Sequence, residues 1–107
     1  MERTPPIPKR IKEARLRAKL SQRVLGIAAG IDDFSASARI NHYERARHMP
    51  DFGMAERLAK VLHCPTAYFY AREDDLAELI LLIGKLTGKE KRRLLAQLRR
   101  SLDSADS

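Results

Sequence analysis

The chain has 107 residues, which suffices for one small domain with a short extension and excludes a two-domain enzyme. Aromatic residues make up only 6% of it, whereas helix-forming Leu, Ala, Arg, Lys and Glu dominate, so a β-sandwich or barrel is not expected. The formal net charge is +7, and residues 1–50 carry 11 Lys and Arg against 5 Asp and Glu, which indicates a polyanionic partner or a charge that serves solubility alone.

Helical spacing of apolar residues begins after a proline-rich lead-in. Residues 1–8 are therefore expected to form an extended or disordered arm, and residues 9–19 a first helix. Ser21 is a predicted N-cap for a second helix, which Gly30 is expected to end. The inward side chains predicted for this second helix are Leu25 and Ala28.

A third and a fourth helix are predicted in the middle of the chain. After a turn over residues 31–35, a helix is expected from Ser35 to Arg45, with Ile40 and Tyr43 on its apolar side. Asp51 is a predicted N-cap for the next helix, which ends before Pro65. The following segment, 66–72, predicts a short apolar helix or turn whose aromatic residues close the core over helices 1 and 4.

The C-terminal part, residues 73–107, predicts two further amphipathic helices. An acidic start at 73–75 favours a helix N-terminus, and Thr87 with Glu90 forms a capping-box pattern before the last helix. The polar tail beyond Leu102 is expected to fray. The apolar stripes of these helices predict a two-helix hairpin over residues 74–102 that also forms a dimer interface or, alternatively, an intramolecular hairpin on a monomer. The residues assigned to dimerisation are Leu76, Leu79, Ile80, Ile83, Leu94, Leu95 and Leu98.

Five fragments follow one another along the chain: RIKEAR at 10–15, LSQ at 20–22, INHYER at 40–45, AKVL at 59–62 and YF at 68–69. In this order they resemble the Cro/C1-type (xenobiotic-response-element) helix-turn-helix family, and the resemblance covers residues 9–71. The family implies an all-α, five-helix lambda-repressor-like domain at residues 9–72. Here a C-terminal two-helix appendage would follow it.

The resemblance also implies roles for single residues. Arg15 and Glu44 match a structural ion pair between helices 1 and 3. The positions that match base-contacting residues are Ser37, Ala38, Arg39, Asn41 and His42. Those expected to contact DNA phosphates are Gln22, Arg23, Arg45 and Arg47.

The chain departs from the family pattern between helices 2 and 3, where about four extra residues include Asp32 and Asp33. Either the turn bulges away from the phosphates or helix 3 begins earlier. Phe34 of this insertion is expected to cover two apolar residues of helix 2, Val24 and Ile27. Three non-glycine residues stand where the family often has Gly, and positive φ there would cause strain. They are Lys19, Ala46 and His63.

Other classes of protein find little support. Cys64 is the only cysteine and the three His are scattered, so neither a disulfide nor a metal site is expected, and the lone thiol fits a reducing cytoplasm. The longest apolar run, 79–83, is too short to span a membrane. No phosphate loop or nucleophile motif is present, so the sequence predicts neither an enzyme nor a cofactor.

The expected function is that of a transcriptional regulator of bacterial or phage type that binds duplex DNA sequence-specifically. It would act as a homodimeric repressor on a two-fold operator. Two alternatives stay open. An antitoxin-type regulator would bind a toxin protein with its C-terminal helices. A protein-interaction module that has lost DNA binding would fit the acidic insertion at Asp32 and Asp33.

Overall fold

A computed structural model describes residues 5–106, and every regular element in that range is helical, which confirms the predicted fold class. The α-helices are α1 (Ile7–Arg17), α2 (Gln22–Ala28), α3 (Asp33–Glu44), α4 (Phe52–Val61), α5 (Asp74–Gly84) and α6 (Gly88–Asp106), with a 3-10 helix (Thr66–Tyr70) between α4 and α5. Residues 1–4 of the predicted arm lie outside the described range. Helix α1 begins two residues earlier than predicted, because Pro8 falls in its first turn, where no backbone N–H is needed.

Side-chain caps begin the helices where the sequence indicates. The hydroxyl of Ser21 accepts a hydrogen bond from the backbone N–H of Val24, and Asp51 caps α4 in the same way. Before α6, the backbone N–H of Thr87 donates to Oε1 of Glu90 at 2.8 Å, and the backbone N–H of Glu90 donates to Oγ1 of Thr87 at 3.1 Å. These predicted caps are confirmed. Helix α6 continues to Asp106, beyond the predicted fraying point.

The extra residues before the third helix join that helix instead of forming a bulge. Asp32 is its N-cap, and the carboxylate accepts from the backbone N–H of Ser35 at 3.1 Å. Helix α3 therefore begins at Asp33, two residues before the predicted start. The turn from α2 is correspondingly short, and Gly30 takes a φ of +96° in it. The insertion lengthens α3 at its N-terminal end.

Helices α2 and α3 pack at close range around Gly26. A methyl group added at this position would lie 2.8 Å from the Cβ of Ala36 and 2.9 Å from its carbonyl oxygen, so only glycine permits the approach. Leu25 and Ala29 of α2 are buried in the same contact. The inward position predicted for Ala28 is wrong, because Ala29 lies one turn after Leu25 and takes that place, leaving Ala28 exposed.

Helix α1 is joined to the start of α5 by a buried arginine. The side chain of Arg10 is 3% exposed and donates from Nε to the carbonyl oxygen of Ala71 at 3.0 Å. Its two terminal nitrogens lie 2.9 Å from the carboxylate of Glu13 and 3.1 Å from that of Asp74. Each of the three guanidinium nitrogens thereby has an acceptor, which makes the burial of Arg10 tolerable and holds α5 against α1.

The two C-terminal helices differ in their attachment to the body. Helix α5 packs on the core through Ala77, which is 1% exposed, with Ile80 and Leu81 half-buried beside it. In contrast, none of the described side chains of α6 is buried. The longest dimension of the molecule is 57 Å, well above its other two of 37 and 22 Å. The intramolecular hairpin considered from sequence is therefore absent, since α6 leaves its leucine stripe uncovered.

Three short connections contain the positive φ angles anticipated from the family pattern. Lys19, Ala46 and His63 follow α1, α3 and α4 with φ values of 59°, 61° and 55°. Each residue ends its helix by a sharp reversal of the chain, in a conformation that disfavours a Cβ. Positive φ thus occurs at all three positions where the family often has glycine.

Replacing Gly26 with Ala is expected to destabilise the protein by about 1–3 kcal/mol, because the added methyl overpacks the contact with Ala36. Chemical denaturation of both proteins measures the loss. Gly53→Ala is the control, since the nearest atom to an added methyl there lies at 3.6 Å, and it should leave stability equal or slightly higher. Equal stability of the Gly26 variant and wild type would contradict the tight contact.

Candidate nucleic-acid interface

Helix α3 has one buried and one outward face. Ala36, Ile40 and Tyr43 form the buried face and contribute to the core. The outward face follows the helical period along the whole length of α3, at spacings of four, three and four residues. Its members are Phe34, Ala38, Asn41 and Arg45. The acidic insertion does not cover this face, so α3 is free to enter a groove.

The residues matched to base contacts surround this outward stripe. Ser37, Ala38 and Arg39 are exposed, whereas Asn41 and His42 are half-buried. The pKa of Arg39 is raised, chiefly by hydrogen bonding to the side chain of Tyr43, four residues later on the same helix. The ring of His42 lies 5.2 Å from that of His48 in the loop that follows.

The Asn41 amide is oriented from α2. Gln22 donates from Nε2 to Oδ1 of Asn41 at 3.2 Å and to Oε1 of Glu44 at 3.1 Å. Both hydrogens of that nitrogen are thereby engaged inside the protein, and the Asn41 Nδ2 donor takes no part in these two bonds. The backbone N–H of Gln22 lies in the first turn of α2.

Arg15 and Glu44 join α1 to the end of α3. Nε and Nη2 of Arg15 donate to the two carboxylate oxygens at 2.6 and 3.0 Å, and Nη1 donates to the carbonyl oxygen of Leu20. The two side chains are only 11% and 4% exposed. The pKa of Arg15 is raised, chiefly by the hydrogen bonds to Glu44. The matched ion pair is brought together in a bidentate geometry.

Arg23 on α2 and Asp33 on α3 form an exposed ion pair. Nε and Nη2 of Arg23 donate to the two carboxylate oxygens at 2.6 and 2.7 Å. The same hydrogen bonds hold the pKa of Asp33 below its ordinary value. The inserted acid is thereby neutralised by a neighbour on the same surface. These two bonds do not use Nη1 of Arg23, the residue matched to a phosphate contact.

Phe34 does not pack on helix α2. Its side chain is 99% exposed, while Val24 and Ile27 are 47% and 41% exposed, so the predicted cover over these residues is wrong. The reason is the earlier start of α3. In helical geometry Phe34 lies on the side of α3 opposite the buried residues Ala36 and Ile40.

The loop after α3 adds further basic groups. Arg45 and Arg47 are both exposed, on either side of the sharp turn at Ala46. Two backbone N–H groups of this loop, those of Arg47 and His48, donate to the carbonyl oxygen of His42. The turn therefore keeps both arginines next to the C-terminal end of the outward face of α3.

Other kinds of site are not assembled in the described part of the chain. Burial raises the pKa of the Cys64 thiol to about 11, which keeps it protonated at neutral pH and makes it a poor nucleophile. Residues 5–106 contain no group of three His, Cys, Asp or Glu side chains that could hold a metal ion. Within the same residues, no helix combines the length and the apolar character that crossing a membrane requires.

Two partners in these contacts are not anticipated from the sequence. From the sequence, Asp33 is expected only as an acid beside DNA, because no sequence motif identifies Arg23 as its ion-pair partner. Arg10 is unassigned too, although a usable signal exists. It occupies a position on the apolar stripe of α1 between Ile7 and Ala14, where a charged residue requires buried partners.

Comparison with known proteins identifies a family and a similar solved structure. A family model described as a helix-turn-helix domain matches residues 9–67, more than half of the chain. Among solved structures, the chain is similar to the crystal structure of the transcriptional regulator BswR, with 48% sequence identity and a TM-score of 0.85. That similarity covers 92% of this chain and 97% of the other. The curated proteins contain no significant match.

Replacing Glu44 with Gln is expected to lower stability by about 3 kcal/mol, because Arg15 keeps its charge in a nearly buried position without its counter-ion. Urea denaturation checks this value. Glu56→Gln on α4 is the matched control, since Glu56 is exposed, and its effect should stay within about 0.5 kcal/mol. Equal effects of the two substitutions would show that the Glu44 pair contributes nothing.

Proposed function

The chain belongs to the helix-turn-helix family, and on that basis we propose that it is a DNA-binding transcriptional regulator that acts as a homodimeric repressor. The observation that carries the proposal is the outward face of α3. This face is unobstructed along its length, while the opposite face is packed in the core. A helix in this arrangement fits the major groove of duplex DNA, with the preceding helix lying across the backbone.

The outward side chains match the chemistry of base edges. Asn41 can donate to N7 and accept from N6 of an adenine, because its Oδ1 keeps a second lone pair beside the hydrogen bond from Gln22. Arg39 can donate to O6 and N7 of a guanine, and Ala38 can pack on a thymine methyl. Ser37 and His42, at the border of this face, add contacts of either polarity.

Phosphate contacts are expected beside α3. Backbone N–H groups in the first turn of α2 and the side chain of Arg23 can donate to a phosphate. Arg45 and Arg47 neutralise phosphates beyond the C-terminal end of α3. The basic surplus of the first fifty residues supplies the long-range attraction to the duplex.

The leucine stripe of α6 supports a homodimer. Leu95 and Leu98 are 47% and 48% exposed, and the exposed face of α5 adds Leu76 and Leu79 at 46% and 53%. Ile83 and Leu94 are half-buried along the same two helices, whereas Ile80 turns partly towards the core. A second copy can cover these apolar side chains in an isologous interface. Two α3 helices would then read half-sites about 34 Å apart.

Repression would follow from occupancy, because a dimer that covers two adjacent major grooves excludes RNA polymerase from an overlapping promoter. A toxin or other protein partner could instead cover the α6 stripe, as an antitoxin-type regulator requires. The dimer is favoured because its two copies present the same apolar surface to each other without a further component.

Selection of bound duplexes from a random pool, followed by titration at several salt concentrations, tests DNA binding. We expect a preferred two-fold sequence and an affinity that falls steeply as salt rises. Arg39→Ala should lose discrimination at one base pair by about tenfold, while the control Arg47→Ala should weaken all duplexes equally. Weak binding without sequence preference would instead favour a protein-interaction module.

Sedimentation equilibrium tests the dimer in the full chain. Wild type should sediment as a dimer, and joint replacement of Leu95 and Leu98 by Gln should yield a monomer of unchanged helicity, because it removes apolar area from the interface. The control replaces Arg93 and Arg100, on the opposite side of α6, by Gln and should stay dimeric. A monomeric wild type, or a leucine variant that remains dimeric, would contradict the proposed interface.

A further inference from the structure

Phe34 is the most exposed large apolar side chain in the described part of the protein. Its exposed fraction is 99%, so the ring has almost no contact with the rest of the chain. It lies in the first turn of α3, four residues before Ala38 on the outward face. In an α-helix this spacing places two side chains one above the other on the same side. Phe34 therefore extends the face that the proposed function assigns to base contacts.

The two acids beside Phe34 do not make this end of the helix repulsive to DNA. The Asp32 carboxylate accepts from the Ser35 backbone N–H, where the positive end of the helix dipole stabilises it. The Asp33 carboxylate is held by Arg23 in a bidentate pair. Both negative charges are thus compensated by neighbouring groups, and both acids also anchor the first turn that carries Phe34.

The position of the ring along α3 determines where it could reach. Four helical residues correspond to a rise of about 6 Å. Successive base pairs are about 3.4 Å apart along each strand. If α3 lies in the major groove, Phe34 therefore reaches a base one or two pairs beyond the base next to Ala38. The N-terminal residues of a recognition helix are the ones that approach base edges most closely.

The chemistry of the ring limits the possible base contact. A phenyl group has neither hydrogen-bond donor nor acceptor, so it discriminates between bases through apolar contact alone. The major-groove edge of DNA offers one apolar group, the C5 methyl of thymine. We propose that Phe34 is a specificity-determining residue that packs on a thymine methyl at the outer part of each half-site. This inference rests on the proposed DNA-binding function.

Replacement of single thymines by deoxyuridine tests the contact, because it removes the methyl group and leaves base pairing intact. In the selected duplex, each thymine is replaced in turn. Wild type should lose about three- to fivefold in affinity per half-site at one outer position, the loss that removal of one buried methyl group implies. Phe34→Ala should bind the thymine and uracil duplexes equally at that position.

Two further variants make the test specific. Phe34→Leu keeps an apolar side chain and should retain part of the preference for thymine. Tyr70→Ala removes another exposed aromatic side chain, away from α3, and should keep the full wild-type preference. Because Phe34 contacts almost nothing in the chain, both Phe34 variants should fold, and circular dichroism checks the helicity of all three variants.

The outcomes separate this inference from the proposed function. If wild type selects a sequence but Phe34→Ala shows the same thymine preference at every position, the inference is overturned and the proposed function stands. If Phe34→Ala changes the oligomeric state without changing the thymine preference, Phe34 contacts protein and not DNA, which also overturns the inference. If wild type selects no sequence at all, the proposed function fails and the inference fails with it.

Discussion

The carboxylate of Glu44 is the contact on which the orientation of α3 depends. It stands at the C-terminal end of α3, receives both donors of Arg15 from α1, and receives the amide of Gln22 from α2. Because the same Gln22 nitrogen also donates to Asn41, the group that holds the helices together orients a side chain on the outward face. Bonds among three helices thereby restrict the rotation of α3, so its outward side chains are set before a ligand arrives, which lowers the entropic cost of binding.

The close contact between α2 and α3 serves the same end by a different force. Gly26 lets the backbone of α2 approach Ala36 closely, so the two helices are packed as one unit. Charged groups on this unit, and between α1 and α5, form internal pairs. Asp33 is held by Arg23 and Asp74 by Lys9 and Arg10, and hydrogen bonds from these bases lower the pKa of both acids. The acidic insertion is therefore compatible with a polyanionic ligand, although two additional Asp residues in the sequence suggest repulsion.

Local features of the fold were predictable because each depends on a few neighbouring residues. Ser21, Asp51 and the Thr87–Glu90 box cap their helices as their side-chain chemistry requires. The positive φ angles at Lys19, Ala46 and His63 followed from family positions that favour glycine. The errors arose where a choice among local alternatives mattered. Asp32 and Ser35 are both good N-caps, and the choice of Asp32 moved Phe34 from an expected cover over α2 to the outward face of α3.

The sequence by itself determined the helical class, several helix caps and the family, because periodicity, caps and a run of matching fragments are properties of short stretches of chain. Beyond the matched Arg15–Glu44 pair, tertiary structure alone decided which charges meet, since Arg10 and Asp74, or Arg23 and Asp33, become partners only when separate segments pack together. It also decided that α5 lies on the core while α6 stands away from it. The leucine spacing in α6 is the same whether the helix packs on its own chain or on another subunit. An apolar stripe indicates that a helix face is to be buried, but does not indicate which surface buries it.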